Sequence, residues 1–223
     1  MKGFYLLIII FCLSLPLHAQ SYNRGDYNRL GLKGKYVILD IKTDNFATST
    51  SSGYDGGFLT RGGFYNNFDM IFGLDLFQAD INVMARENAL ASAEETQYKI
   101  LAAQLNVLAS YLILGQNLTI EAGPVLMVNS KMELKDAAYK NYIVDGYTSL
   151  KTHDIEDISK INLNALIGFT AGFESFRATV NYQYGLLNTL SDLNDKDLSN
   201  TDPAAHDFKG NLSIITAGVI FYL

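Results

Sequence analysis

The 223-residue chain has one cysteine, no tryptophan, a small share of charge and fewer bases than acids. Each shortage closes off a class of protein. Cys12 lies in an apolar run near the start, and Phe11 before it is too bulky for the small residue that lipid-attachment signals need. The chain beyond that run therefore has no disulfide and no thiol chemistry. Charged residues make up 18%, below the roughly 25% usual in soluble domains. Lys and Arg number 17 against 23 Asp and Glu, a poor surface for nucleic acid, which needs a basic patch. After the first 20 residues no apolar run approaches the ~18 residues of a spanning helix. Yet the hydrophobic share is 48%. An apolar, charge-poor chain without a spanning helix can still enter a membrane as a closed β-barrel, the other shape that satisfies every backbone group in lipid.

The first residues read as an export signal. Lys2 supplies a positive start, residues 4–15 are almost entirely apolar, and Pro16 ends the run. Leu17-His18-Ala19-Gln20 offers a cleavage site after Ala19, or one residue later after Gln20. The run is too short to cross a membrane. Residues 1–19 are thus expected to be a cleaved signal peptide, 20–29 a short periplasmic segment with Tyr22, Arg24, Tyr27 and Arg29, and 30–223 the barrel. Without Lys2 the balance is 16 bases against 23 acids, a net charge of −7.

Eight period-2 segments follow, at 30–41, 57–65, 69–83, 98–114, 118–134, 161–173, 177–190 and 208–223. Most reach the ~9–11 residues that a tilted strand needs to cross the hydrocarbon. The connections alternate long and short. The short ones are Asn66-Asn67-Phe68, Gly115-Gln116-Asn117 and Glu174-Ser175-Phe176; the long ones cover 42–56, 84–97, 135–160 and 191–207. Tight periplasmic turns alternating with long extracellular loops are the pattern of bacterial outer-membrane barrels. The expected fold is all-β: an eight-stranded antiparallel transmembrane up-and-down β-barrel, integral to the cell outer membrane. The count changes only if 135–160 contains a hairpin of its own.

One face of each segment is apolar and the other mixed. Segment 177–190 sets Ala178, Val180, Tyr182, Tyr184 and Leu186 against Arg177, Thr179, Asn181, Gln183 and Gly185. The apolar rows are assigned to lipid and the polar, glycine-rich rows to the lumen, where eight strands leave room only for side chains. A soluble lipocalin-like barrel would invert that assignment. Tyr36, Tyr65, Tyr98, Tyr111, Tyr182, Tyr184 and Tyr222 are placed at strand ends or in the lipid-facing rows, where a ring with a wet hydroxyl is at home. The last segment carries Ile215, Ala217, Val219, Phe221 and Leu223 in one row. Barrel assembly machineries recognise such apolar terminal strands; the final residue here is Leu where Phe is usual.

Two stretches carry a resemblance. Leu118-Thr119-Ile120-Glu121-Ala122-Gly123-Pro124 and Tyr182-Gln183-Tyr184-Gly185-Leu186, with the order of turns, resemble the outer-membrane barrels of Bacteroidota known as porin-family or PorT-like. The resemblance runs from about residue 30 to 223 and implies an eight-stranded barrel. For PorT itself it implies a place in the type IX secretion apparatus.

The ionisable residues on the expected inner face are Lys33, Lys35, Arg61, Asp75, Glu121 and Arg177, most of them toward the short turns. They read as a charge network that fills the lumen, because buried charges need partners, or else as a narrow polar path. His153 and His206 each precede an Asp in a long loop, but no nucleophile motif such as G-x-S-x-G accompanies them, and no enzyme is expected. Asp192, Asn194 and Lys196 break the calcium-loop pattern, so no metal or cofactor is assigned. Tyr139, Tyr142 and Tyr147 give the third long loop the makings of a contact surface. The functional expectation is a structural or surface-interaction barrel in outer-membrane lipid, with a protein partner at its extracellular loops. The alternatives are an accessory barrel of a type IX-like secretion system and a narrow transport pore.

Overall fold

The computed structural model describes residues 29–223. The expected signal peptide, and the following segment up to residue 28, lie outside the described residues. Eight long strands make the barrel: β1 (Arg29–Thr43), β2 (Ser51–Tyr65), β3 (Phe68–Arg86), β4 (Glu94–Leu112), β5 (Leu118–Asn129), β6 (Ile161–Gly172), β7 (Phe176–Gly185) and β8 (Gly210–Tyr222). Each pairs antiparallel with its neighbours in sequence. The first and last close the ring from Gly31↔Tyr222 to Thr43↔Gly210. Closure leaves no strand edge unpaired around the ring, which is what a barrel achieves and an open sheet does not.

The strand count and the short turns agree with the sequence reading, while several boundaries move. β2 begins at Ser51 rather than 57, so residues 51–56 of the expected first loop are strand. β5 ends at Asn129 and β7 at Gly185, earlier than expected. The third loop, 130–160, adds no hairpin to the barrel. Its short Glu133–Leu134 and Ile143–Val144 segments pair with the far ends of β4 and β3. At the β2–β3 turn Asn66 adopts φ 46°, the left-handed conformation that Asn tolerates best after Gly.

The two faces of each strand differ, and the difference reverses partway along. Near the short turns and through the middle, β3 points Phe72, Leu74 and Leu76 outward and Asp69 and Asp75 inward. Farther toward the long loops it points Gln78 and Asp80 outward and Phe77, Ala79, Ile81 and Val83 inward. β4 does the same: Leu105 and Leu101 outward over Asn106 and Gln104, then Lys99, Gln97 and Glu95 outward over Ile100 and Tyr98. Cross-strand pairs keep the levels aligned, Leu74 with Leu105 and Asp80 with Lys99. The barrel therefore has an apolar outer belt around an interior that mixes charged and polar side chains with a small apolar cluster (Leu59, Ile71, Leu108, Val125, Leu166 and Ile220) in one part, and a polar outer wall around an apolar core in the other.

That apolar core is filled from the loops. Phe46, Met132, Leu150, Ile155, Leu193 and Phe208 are buried against Leu39, Phe77, Ile81, Ile100 and Leu212 of the strands. The Tyr98 hydroxyl donates to the Thr152 carbonyl at 2.9 Å. Tyr98 and Tyr222 thus face inward, and their expected places among lipid-facing or boundary tyrosines are corrected; Tyr36, Tyr65, Tyr111, Tyr182 and Tyr184 do face outward. The reason is positional: Tyr98 lies in the stretch where the wall has turned polar, and Tyr222 shares the inward phase of Ile220.

Side-chain bonds pin the third and fourth loops together. The Asp202 carboxylate accepts from the Thr148 N–H (2.7 Å), the Thr148 hydroxyl (2.9 Å), the Ser149 N–H (2.8 Å) and the Ala204 N–H (3.0 Å). Burial alone would raise its pKa, but these donors outweigh burial and hold the carboxyl down at about 2. A carboxyl depressed in the folded state stabilises fully above its ordinary pKa and loses that contribution as pH falls through the depressed value. The clasp is expected to hold from neutral pH to about 4 and to loosen between about 4 and 2. Asp202→Ala should cost about 1–3 kcal/mol and open loops three and four to limited proteolysis at pH 7. Unchanged protease resistance would count against the clasp.

Candidate functional site: the charged barrel interior

All six ionisable residues singled out in the sequence have their side chains buried inside the barrel. The structure gathers five of them into two groups and places the sixth, Arg177, over Tyr222. Nearest the short turns, Arg61 on β2 reaches three other strands. Its Nε donates to Asp69 Oδ2 on β3 at 2.8 Å, Nη2 to Ser110 Oγ on β4 at 2.6 Å, and Nη1 to Glu121 Oε1 on β5 at 3.3 Å. The Thr119 hydroxyl also donates to Glu121 Oε1, at 3.2 Å. Only a planar fork with five N–H groups can serve three partners in three directions.

The second group lies farther from the turns. Lys33 Nζ sits 2.8 Å from Asp75 Oδ2, and Lys35 Nζ sits 2.9 Å from Asp55 Oδ2 and 3.8 Å from Asp75 Oδ2. Asn106 donates to the same Asp75 oxygen at 2.6 Å. Arg177 is on β7, where its Nε donates to the Phe173 carbonyl at 3.2 Å and its guanidinium lies over the Tyr222 ring at 5.1 Å. The sequence reading set most of these charges close to the turns; Lys33, Lys35 and Asp75 instead occupy the middle of the strands.

Two carboxylates were missed. Asp69 shares the inward phase of Asp75, and that alternation was signal enough to find it. Asp55 fell in a stretch read as loop. With both included, four cations (Lys33, Lys35, Arg61, Arg177) meet four anions (Asp55, Asp69, Asp75, Glu121) inside the wall.

Beyond the charges comes a layer of neutral polar side chains. Gln183 on β7 donates to Gln104 on β4 at 3.4 Å, and Asn164 on β6 to Gln183 at 3.3 Å. β4 and β7 are three strands apart around the ring, as are β2 and β5, which Arg61 and Glu121 join. Two side chains are therefore enough to cross the barrel. The cavity among these groups, lined in nearly equal parts by polar residues such as Lys33, Asn106 and Glu121 and apolar ones such as Leu59, Leu108 and Ile220, measures about 20 Å³, the room of about one water molecule. Glycine supplies some of the space. A Cβ on Gly168 would lie 2.0 Å from Asn181 Oδ1 and 2.8 Å from the Val180 carbonyl oxygen. Gly168→Ala is expected to cost about 1–3 kcal/mol by overpacking, read as a lower urea midpoint; an unchanged midpoint would mean that the interior has slack.

The loop histidines make separate, local pairs. His153 Nε2 lies 3.3 Å from Asp154 Oδ1 while its Nδ1 meets the Lys140 carbonyl at 2.8 Å, and His206 Nδ1 lies 3.3 Å from Asp207 Oδ2. Among the described residues no three His, Cys, Asp or Glu side chains are grouped to hold a metal ion.

No protein-family model and no curated protein sequence matches the chain. Solved barrels overlie most of it. Neisserial surface protein A is 13% identical, with 86% of this chain and 96% of that one covered and a TM-score of 0.45. The outer membrane protein OprG from Pseudomonas aeruginosa is 11% identical, with 88% and 96% covered and a TM-score of 0.46. Ail, the attachment invasion locus protein of Yersinia pestis, crystallised with the heparin analogue sucrose octasulfate, is 10% identical, with 88% and 97% covered and a TM-score of 0.45. What the chain has in common with them is an antiparallel barrel.

Proposed function

We propose that this protein is an integral outer-membrane barrel whose interior is closed by its own side chains and whose work is done at the loop surface. The observation that carries the membrane reading is the reversal along β3 and β4. An apolar belt over a polar interior is what lipid demands, and a polar wall over an apolar core is what water demands. The same strands supply both, so the chain passes from one surrounding to the other at the level of Gln78 and Lys99. Exposed aromatics mark both edges of the belt on β2, Tyr54 toward the loops and Phe64 toward the turns. Ten residues at ~3.3 Å each, tilted by about 40°, span about 25 Å, the height of the apolar band of outer-membrane barrels.

The filled-lumen reading is supported by the cross-barrel bonds Arg61–Glu121 and Gln183–Gln104 and by the loop side chains packed into the far half. A conducting pore would need these to part. A non-enzymatic role fits the local pairing of both histidines. The resemblance to PorT-like barrels is to the frame: Glu121 helps hold Arg61, and a Cβ on Gly123 would lie 2.2 Å from the Val107 carbonyl oxygen. No particular residue favours a secretion-accessory role over a general surface barrel.

Planar-bilayer recording of the purified barrel tests the closed lumen. No steady conductance is expected. Steady channels whose conductance changed in Glu121→Gln would establish the narrow-pore reading instead.

A further inference from the structure

Charge is sorted by level in this molecule. Among the described residues the interior holds four cations and four anions, and the turn end holds one of each, Arg29 paired with Glu174. Every other charge among the described residues lies at the loop end, with 17 Asp and Glu against 10 Lys and Arg. The whole excess of −7 among these residues therefore lies at the loop end.

The two longest strands, β3 and β4, meet in a hairpin at that face, and its tip carries an apolar side chain. Leu90 is 99% exposed. Its backbone is held in a formed turn: Asn88 Oδ1 accepts from the Leu90 N–H at 3.0 Å and the Asn88 carbonyl from the Ala91 N–H at 3.1 Å. Beside it the third loop is tied to the hairpin by the Ile143–Val144 pairing with Ala85 and Arg86, and Arg86 donates to the Tyr147 carbonyl at 3.0 Å. That tie brings up Tyr139 and Tyr142, rings edge to face at 4.9 Å. The Tyr142 hydroxyl is raised in pKa by partial burial and by Glu94 and Glu87, which places carboxylates next to the ring pair.

We infer that the tip, formed by Leu90, Tyr139 and Tyr142 beside Glu87 and Glu94, docks a protein whose contact face has an apolar pocket rimmed by Lys or Arg. An exposed apolar anchor with neighbouring aromatics is the composition of an interface centre, and rim charge sets partner choice and encounter rate. Charge complementarity selects the occupant. Polyanionic glycans and anionic lipid surfaces are repelled by a face of this sign, while a basic protein surface is attracted. The inference deepens the proposed surface role and rests on it.

The test uses the full-length protein in cells that carry it. Cys12 lies in the expected signal peptide, so Ala89→Cys places one thiol beside an intact Leu90. An impermeant maleimide, then a benzophenone-maleimide with ultraviolet light, report exposure and contact in turn. The expected result is labelling on intact cells and one dominant protein adduct, identified by mass spectrometry as a protein with a basic contact face. That adduct should fall at least tenfold when Leu90→Ser, or Glu87→Gln with Glu94→Gln, is added. Labelling without a protein adduct, an adduct to lipid alone, or an adduct indifferent to those changes would overturn the docking inference and leave the membrane reading standing. A thiol labelled only in broken cells would overturn the surface reading itself, and the inference with it.

Discussion

Arg61→Met should destabilise the barrel by about 3–5 kcal/mol, the cost of breaking a buried ion pair by removing one partner. Arg61 is 1% exposed and supplies donors to Asp69, Ser110 and Glu121 on three different strands. Methionine fills part of the volume but leaves two carboxylates facing each other with their shared cation gone. In vesicles the change should appear as a large drop in the urea midpoint of the folded band, and as poor folding yield. Arg61→Lys should recover only part of the loss, because one ammonium cannot point in three directions. Adding Asp69→Asn and Glu121→Gln to Arg61→Met should recover most of it, since the penalty comes from the stranded charges rather than from the missing bonds. A single variant as stable as the parent would mean that water reaches this end of the lumen and solvates the acids.

The second large effect concerns the outer wall. Leu105 and Gln97 point outward from the same strand, four outward positions apart. Leu105 faces Leu74 in the belt, and Gln97 lies beyond the level where Lys99 faces Asp80. Leu105→Arg should cost about 2–4 kcal/mol, the price of a cation near the bilayer midplane, and Gln97→Arg about 0–1 kcal/mol. On a water-soluble barrel both sites are simply exposed surface, and both substitutions would stay within about 0.5 kcal/mol. Equal effects at the two sites would remove the belt from the account.

The sequence was informative wherever a single rule held along a whole strand. The rows Ala178–Val180–Tyr182–Tyr184 and Ile215–Ala217–Val219–Phe221 could be assigned to one face because a period of two needs no knowledge of the neighbours. Lys33, Lys35, Arg61, Asp75, Glu121 and Arg177 followed as the charges on the opposite phase. The failures have physical causes. Residues 51–56 have the composition of a loop, yet a Cβ at Gly53 would lie 2.2 Å from the Gln78 carbonyl oxygen. The glycine that disguises the strand is required by its close packing, and Asp55 was hidden with it. Tyr98 was misplaced because the period stays at two while the surroundings change; alternation reports which residues share a face and is silent on what that face meets. The apolar fill of the far half was unreadable for another reason. Met132, Leu150, Ile155, Leu193 and Phe208 come from loops that hold only short 3-10 turns and two-residue strands, where apolar residues have no period to reveal them, and only the tertiary fold brings them together. Which of the six charges meet also depends on register across strands, which one chain's alternation does not contain.

The central claim is that a closed barrel with an apolar belt sits in the outer membrane, and the most direct measurement is the migration of boiled and unboiled protein from fractionated cells on a detergent gel. The account predicts protein in the outer-membrane fraction, released only by detergent, with an unboiled band that migrates differently from the boiled one. Protein in the soluble periplasm, with identical migration before and after boiling, would contradict it.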